Sequence, residues 1–286
     1  MIKSAKIEGF RAIRSAEFTL EPLTFFLGPN GSGKTSILHA LDKNRGVQFA
    51  DHWRHQMAAP SIEIRPGGDH PLQLLRLDLD RMRAPNQLAQ ASMLAPSGEN
   101  LTNVFDSLSR REREALASQY CQLIPTFSDV DRIAAGPGVQ HLRFQDAWSK
   151  DTWYLPAEVS DGSILVLAFL LLQYQRPQVD VVAIEEPERG LHPYLLEQLV
   201  QLFRDLSIGK LGGKPVQILL ATHSPQLVEF ARPAEVRFVD RDPKTGDVTV
   251  RAPPTEDEHW EAAFAEYKRS LGAVWLSGNL GGVPGA

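Results

Sequence analysis

From Leu27 to Ser36 the chain reads Leu-Gly-Pro-Asn-Gly-Ser-Gly-Lys-Thr-Ser, which places Gly28, Gly33, Lys34 and Thr35 in the spacing G-x-x-x-x-G-K-[ST]. No other stretch limits the fold as much. An apolar run from Leu23 to Leu27, broken only by Thr24, leads in, and Ser36 to Leu41 continues beyond it. The spacing predicts a strand, a tight turn and the first turns of a helix. Glycines let backbone N–H groups converge on phosphate oxygens, and the helix start adds a fixed positive potential. Gly28, Pro29, Asn30, Gly31, Ser32, Gly33, Lys34, Thr35 and Ser36 are therefore a candidate phosphate cradle. In it Lys34 would reach the β- and γ-phosphates, and the Thr35 hydroxyl would ligate Mg²⁺.

The chain has 286 residues, 43% hydrophobic and 23% charged, enough for one large domain or one domain with an inserted lobe. A net charge of −5 supplies no overall basic field for nucleic acid, although a local basic patch is compatible with it. One cysteine, Cys121, excludes an intramolecular disulfide framework and fits a reducing cytosol; it reads as a small buried hydrophobe rather than a catalytic thiol. The charged start shows no secretory leader, and the longest apolar run, Ile164 to Leu172, is short of the roughly 18 residues a membrane span needs. A soluble, cytoplasmic protein is expected, with no contact to membrane.

In chain order, Ile2 to Phe10, Ala16 to Leu20 and Leu23 to Leu27 read as strands separated by turns. Residues 45–65 give mixed signals, and Leu72 to Leu79 alternates as a half-buried strand. Residues 1–79 thus hold the phosphate-loop half of the chain. Residues 80–150 read as an inserted, mostly helical lobe, with helices expected from Leu101 to Ser107 and, behind a Ser109 cap, onward to Ile124. The Arg/Glu cluster at the start of the second helix reads as a solvated face with internal pairs. Val139 to Phe144 and Thr152 to Leu155 read as short strands.

Residues 151–286 carry the remaining chemistry. Ser160-Asp161-Gly162-Ser163 opens a helix apolar on nearly every side, hence buried. Val179 to Ile184 has the β-branched character of a parallel strand covered on both faces, and it ends in Glu185-Glu186-Pro187-Glu188. Carboxylates at such a strand end sit where open α/β sheets bind ligands. One could hold a metal ion's shell while another orients and deprotonates water. Val216 to Ala221 is a second buried strand, running into Thr222-His223-Ser224-Pro225, which places His223 at a strand end suited to the γ-phosphate or the attacking water. Val236 to Val239 and Val248 to Arg251 read as a hairpin, and Trp275 to Pro284 as a tail with a double glycine.

Taken in order, these segments resemble the ABC-type ATPases of the SMC/RecF/OLD group, in particular short AAA-family ATPases without coiled coils. The resemblance extends to Gly98-Glu99-Asn100-Leu101, to Gly190-Leu191-His192-Pro193 and to the tail. It implies an α/β fold: a mostly parallel P-loop core sheet, an N-terminal antiparallel β subdomain and an inserted helical lobe. It also implies ATP and Mg²⁺ as cofactors. Glu185 stands where the family's Mg²⁺-side acid sits and Glu186 where its catalytic base sits, with Lys34 and His223 completing the catalytic set. Ser160, Asp161 and Gly162 match the signature that reaches the γ-phosphate of a partner subunit, Gly190 to Pro193 match the D-loop, and Arg11 resembles the N-terminal basic residue close to the nucleotide.

The signature departs from Leu-Ser-Gly-Gly-Gln, reading Val159-Ser160-Asp161-Gly162-Ser163, and the Q-loop glutamine is open among Gln73, Gln87 and Gln90. The roughly 35 residues after the last hairpin are too few for a Toprim nuclease domain. The expected machine is a homodimer with ATP sandwiched between subunits, slow in basal hydrolysis, that controls a separate effector or nuclease in DNA repair or prokaryotic defence. Alternatives are a repair clamp acting directly on DNA, the ATPase subunit of a transporter, and a nucleotide sensor without hydrolysis, against which Lys34, Glu186 and His223 argue.

Overall fold

A computed structural model describes residues 1–42, 48, 51–53, 58–257 and 260–278. Strands β1 (Ser4–Phe10) and β2 (Ile13–Thr19) pair antiparallel, from Ser4 opposite Thr19 to Phe10 opposite Ile13. β3 (Leu23–Leu27), buried throughout, leaves for a second sheet and runs through the glycine turn into α1 (Lys34–Leu41). β4 (Ser61–Arg65) returns to the free side of β1 and completes a three-stranded antiparallel sheet. Ile7, Phe10, Ile13 and Phe18 pack with Phe26, Ile37, Leu38 and Leu41 in one apolar cluster, so this sheet seats α1 from outside. Each such side chain stabilises by about 1.5–3 kcal/mol on burial.

The expected strand from Leu72 to Leu79 is shorter. β5 ends at Leu75 (Leu72–Leu75), and α2 (Leu79–Met82) begins where the Asp78 carboxylate accepts a hydrogen bond from Arg81 N at 3.1 Å. Asp78 is an N-cap, and capping overrides the apolar alternation. After the short β6 (Asn86–Gln87) come α3 (Leu101–Asp106) and α4 (Arg110–Leu123), the latter opened by the expected Ser109 cap as a full capping box with Glu112.

The lobe is less helical than expected. Its second half is a long hairpin of β7 (Phe127–Gly136) and β8 (Val139–Asp146), with β6 and β9 (Trp153–Tyr154) on the far side of β8. β7 escapes the alternation test because the pairing slips between Phe127 and Asp129 and again near Gly136, which shifts side chains off a strict period of two. Leu101, Phe105, Leu116, Tyr120 and Phe144 share one core cluster with the helix that follows Ser160, so the lobe and the core are joined by continuous apolar packing.

That helix is α5 (Asp161–Leu171), buried from Gly162 onward. β10 (Val181–Glu185), α6 (Leu196–Ser207), β11 (Gln217–Thr222), α7 (Pro225–Val228) and the hairpin β12 (Val236–Arg241) with β13 (Val248–Arg251) follow. The chain closes with α8 (Trp260–Glu266) and α9 (Leu271–Leu276); Trp275 is buried in α9, while residues 279–284 of the expected tail motif lie outside the described residues.

The core sheet runs β13-β12-β3-β11-β10-β5; five strands are parallel and only β13 is antiparallel. Leu27 is level with Thr222, and Ala221 with Glu185. The phosphate turn, the Thr222-His223 exit and the Glu185-Glu186 exit therefore leave three adjacent strands on one edge. No helix among the described residues is long and apolar enough to cross a membrane.

Candidate active site

The glycine turn closes on Lys34. The residue is 8% exposed, and its ammonium donates to Gly28 O at 2.7 Å and to Pro29 O at 2.8 Å. Gly28 is obligatory here: a Cβ on it would lie 2.0 Å from Val239 O, so any side chain would push β12 off β3. Gly31 and Gly33 hold left-handed φ values of 78° and 111°, and Gly33 leaves α1 with no side-chain cap. Burial holds the Lys34 ammonium below its usual pKa, while Glu186, Glu188 and Glu185 draw it partly back. A buried cation satisfied by two main-chain carbonyls at an uncapped helix start fits an anionic phosphate chain.

Asn30, Gly31, Gly33, Lys34, Thr35 and Ser36 line one pocket of about 220 Å³ together with Glu185 and Glu186. Ser32 lies behind it, its hydroxyl buried without a protein partner. Thr35 and Glu185 both line the pocket and offer oxygen atoms that could hold a Mg²⁺ ion. Glu186 has a left-handed φ of 48°, and its N–H donates to Ala221 O at 2.8 Å, which turns its side chain toward the next strand. There Oε1 stands 3.4 Å from Nδ1 of His223. Glu188 reaches the same strand, accepting from Thr222 Oγ1 at 2.5 Å, and burial raises its carboxyl above the ordinary range.

Ser160, Asp161 and Gly162 do not line this pocket. Ser160 caps α5 through Ser163 N, and the turn stands on Gly190: a Cβ there would lie 2.9 Å from Asp161 Cβ. Arg83 holds the turn from the other side, donating to Pro156 O and Val159 O at 2.9 Å each and pairing with Asp161 Oδ1 at 2.8 Å. Asp161 and Arg83 line a cleft of about 870 Å³ together with Glu185 and Glu186. Arg11 is one helical turn from the cradle. Its guanidinium pairs with the buried Asp51 at 2.9 Å and meets His39 Nδ1 at 3.0 Å, four residues beyond Thr35 on α1.

Of the three glutamine candidates, Gln73 lines a cavity together with Thr35 and Glu185. Gln73 is buried with both amide ends committed, its Nε2 to Leu94 O and Gln175 Oε1 and its Oε1 to Gln175 Nε2. Gln87 pairs with Val139 in the small sheet, and Gln90 is exposed. Sequence reasoning missed Arg241, which lines the small pocket from the end of β12, and Arg76, which borders the large cleft with Glu185. No motif marks either. Their place follows from strand order, which the sequence alone does not reveal.

A parallel sheet with a phosphate turn, an acidic strand end and a histidine strand end in adjacent positions has the framework of a P-loop ATPase. A family model described as "AAA domain, putative AbiEii toxin, Type IV TA system" matches residues 79–229, over half of the chain, and one described as "AAA ATPase domain" matches residues 1–52. The chain belongs to the first of these AAA families. A curated "OLD nuclease" of Thermus scotoductus is 45% identical over 42 residues, a match covering 15% of this chain and 8% of the nuclease.

Among solved structures, an Smc head bound to the C-winged helix domain of ScpA superposes with a TM-score of 0.59 at 14% identity, over 88% of this chain and 97% of that one. The SMC head domain from Thermotoga maritima gives 0.53 at 15%, over 88% and 98%. A Pyrococcus furiosus Smc head with an extended coiled coil, bound to the C-terminal domain of ScpA, gives 0.58 at 11%, over 94% and 99%. At such identities the likeness is one of fold.

Proposed function

We propose that two copies of this chain close head to tail around two ATP·Mg²⁺, hydrolyse them slowly, and through that cycle gate a separate effector or nuclease in the cytoplasm. The observation that carries this reading is that the Ser160–Gly162 turn does not line the pocket that Lys34, Thr35, Glu185 and Glu186 share; Asp161 lines instead the larger cleft with Glu185 and Glu186. A second copy supplying that turn would complete each γ-phosphate cage. In this reading residues 1–79 and 151–286 are the two halves of the ATPase core, and residues 80–150 are an insert that carries Arg83 to the signature turn.

The chain's own groups divide the work. Lys34 would exchange its two carbonyl partners for phosphate oxygens, and Thr35 with Glu185 would hold the metal. Bound Mg²⁺ supplies neutralisation of charge on the β- and γ-phosphates. Glu186 would orient a water and take its proton on the carboxylate, and His223, 3.4 Å away, would steady that carboxylate.

Light scattering of wild type and Glu186→Gln, each with and without ATP·Mg²⁺, tests the reading. The variant is expected to become dimeric only with ATP. If both proteins stay monomeric with ATP bound, completion of the site by a second copy is wrong. A dimer whose hydrolysis is stimulated by DNA would favour direct action on DNA over an intermediary effector.

A further inference from the structure

We propose that Glu188 is the positioning residue that sets His223 against Glu186. This inference rests on the hydrolytic reading above and extends it. The His223 side chain is 47% exposed, and its contact with Glu186 at 3.4 Å is longer than an ordinary hydrogen bond. Its own contacts therefore place it weakly, and the backbone on either side must hold it.

One hydroxyl serves both sides. Thr222 Oγ1 donates to Glu188 Oε1 at 2.5 Å and accepts from Ser224 N at 2.9 Å, so a single group ties the residues before and after His223. Ser224 then caps α7, its Oγ accepting from Leu227 N at 3.1 Å. A threonine hydroxyl has one proton to donate, and Glu188 accepts that hydrogen bond, which leaves the lone pairs free for the Ser224 amide. Remove the carboxylate and that division of roles is no longer enforced.

Glu188 is well anchored for the task. It belongs to the turn that sets Glu186: Arg189 N donates to Glu186 O at 3.1 Å and Leu191 N to Glu188 O at 3.0 Å. Two acids of one turn thus reach the neighbouring strand exit, one at residue 222 and the other at residue 223. Any shift of the turn moves both contacts together. Glu188 Oε2 is buried with no protein partner. A group kept only to staple two strands would be satisfied more fully, so the half-met carboxylate two residues from Glu186 points to a functional constraint.

The test measures ATP hydrolysis and nucleotide affinity for wild type, Glu186→Gln, Glu188→Gln, Glu188→Ala, Thr222→Val, His223→Ala and the double variant Glu188→Ala/His223→Ala, each checked by thermal melting. Glu188→Gln keeps an acceptor oxygen and should stay within about twofold of wild type, whereas Glu188→Ala and Thr222→Val should lose up to about tenfold in kcat, no more than His223→Ala, with nucleotide affinity unchanged. The double variant should be no slower than His223→Ala, because one change already removes what the other positions. Should Glu188→Ala fail to fold, the Thr222→Val and Glu188→Gln pair decides. Full activity in Thr222→Val, or losses at 188 and 223 that add in full, would overturn the inference while Glu186→Gln is inactive. If Glu186→Gln instead hydrolyses as fast as wild type, the hydrolytic reading itself falls, and this one with it.

Discussion

Oε1 of Glu186 and Nδ1 of His223 stand 3.4 Å apart across the ends of two adjacent parallel strands, with Glu186 in a left-handed backbone conformation that turns its carboxylate sideways. Neither side chain is deeply buried. Their proximity follows from the level pairing of Glu185 with Ala221. Replacing Glu186 by Gln is expected to lower kcat by about 10²-fold or more, and replacing His223 by Ala by about tenfold, with ATP affinity within threefold. Steady-state hydrolysis alongside nucleotide titration checks this. A parallel loss of affinity in both variants would mean that the pair binds rather than reacts.

Arg83 ties the loop before α5, at Pro156 O and Val159 O, to the first residue of that helix, at Asp161 Oδ1, all within 2.9 Å. Its side chain keeps 22% of its exposure, so water compensates part of any loss. Arg83→Ala should cost about 1–3 kcal/mol of stability. If the signature reading holds, it should also weaken the ATP-dependent dimer of the Glu186→Gln background. Denaturant melts and sedimentation of the double variant measure the two effects separately.

Gly272 lets α9 lie directly on α7. A Cβ there would come within 2.4 Å of Glu229 Oε1 and 2.5 Å of Pro225 O, and Glu229 already accepts from Gly272 N at 2.9 Å and from Ser270 Oγ at 2.6 Å. Helix propensity favours alanine by about 1 kcal/mol. A clash with a backbone carbonyl is nevertheless expected to win and to lift α9, exposing Trp275. Gly272→Ala should therefore lower the melting temperature and raise tryptophan accessibility to quenchers; unchanged melting would show that α9 can slide without loss.

Cys121 should be nearly inert. Burial pushes its thiol up to about 11, with the Asp129 carboxylate adding to the effect. At neutral pH such a thiol holds about 100-fold less thiolate than a free cysteine, so alkylation of the folded protein should be slower by that factor and recover in denaturant. The sign is clear: raising the pH speeds the reaction until the thiol ionises. Rapid labelling at pH 7 would show that the hydrophobic seat of Cys121 opens.

Much of the chemistry was legible because it is local. The cradle from Gly28 to Ser36 needs left-handed backbone at Gly31 and Gly33, and glycine supplies that wherever the chain goes. Caps at Ser109 and Ser160 likewise depend on residues three positions apart. The hairpin of β7 and β8 was half missed because its slipped register hides the alternation. The choice among Gln73, Gln87 and Gln90 was not legible for another reason: the partner of Gln73 is Gln175, 102 residues away in the chain.

The sequence by itself determined the phosphate turn, the acidic and histidine strand ends, the buried helix behind Ser160 and the family these resemble. All rest on backbone preferences and hydrogen bonds that act over a few residues. Only the tertiary structure decided that β3, β11 and β10 are neighbours in level register, that Arg83 clamps the Asp161 turn, that Glu188 reaches Thr222, and that Arg241 and Arg76 border the site. Those outcomes come from burying apolar faces together. That force is large and carries no direction, so it selects among strand orders only when the whole chain is packed at once.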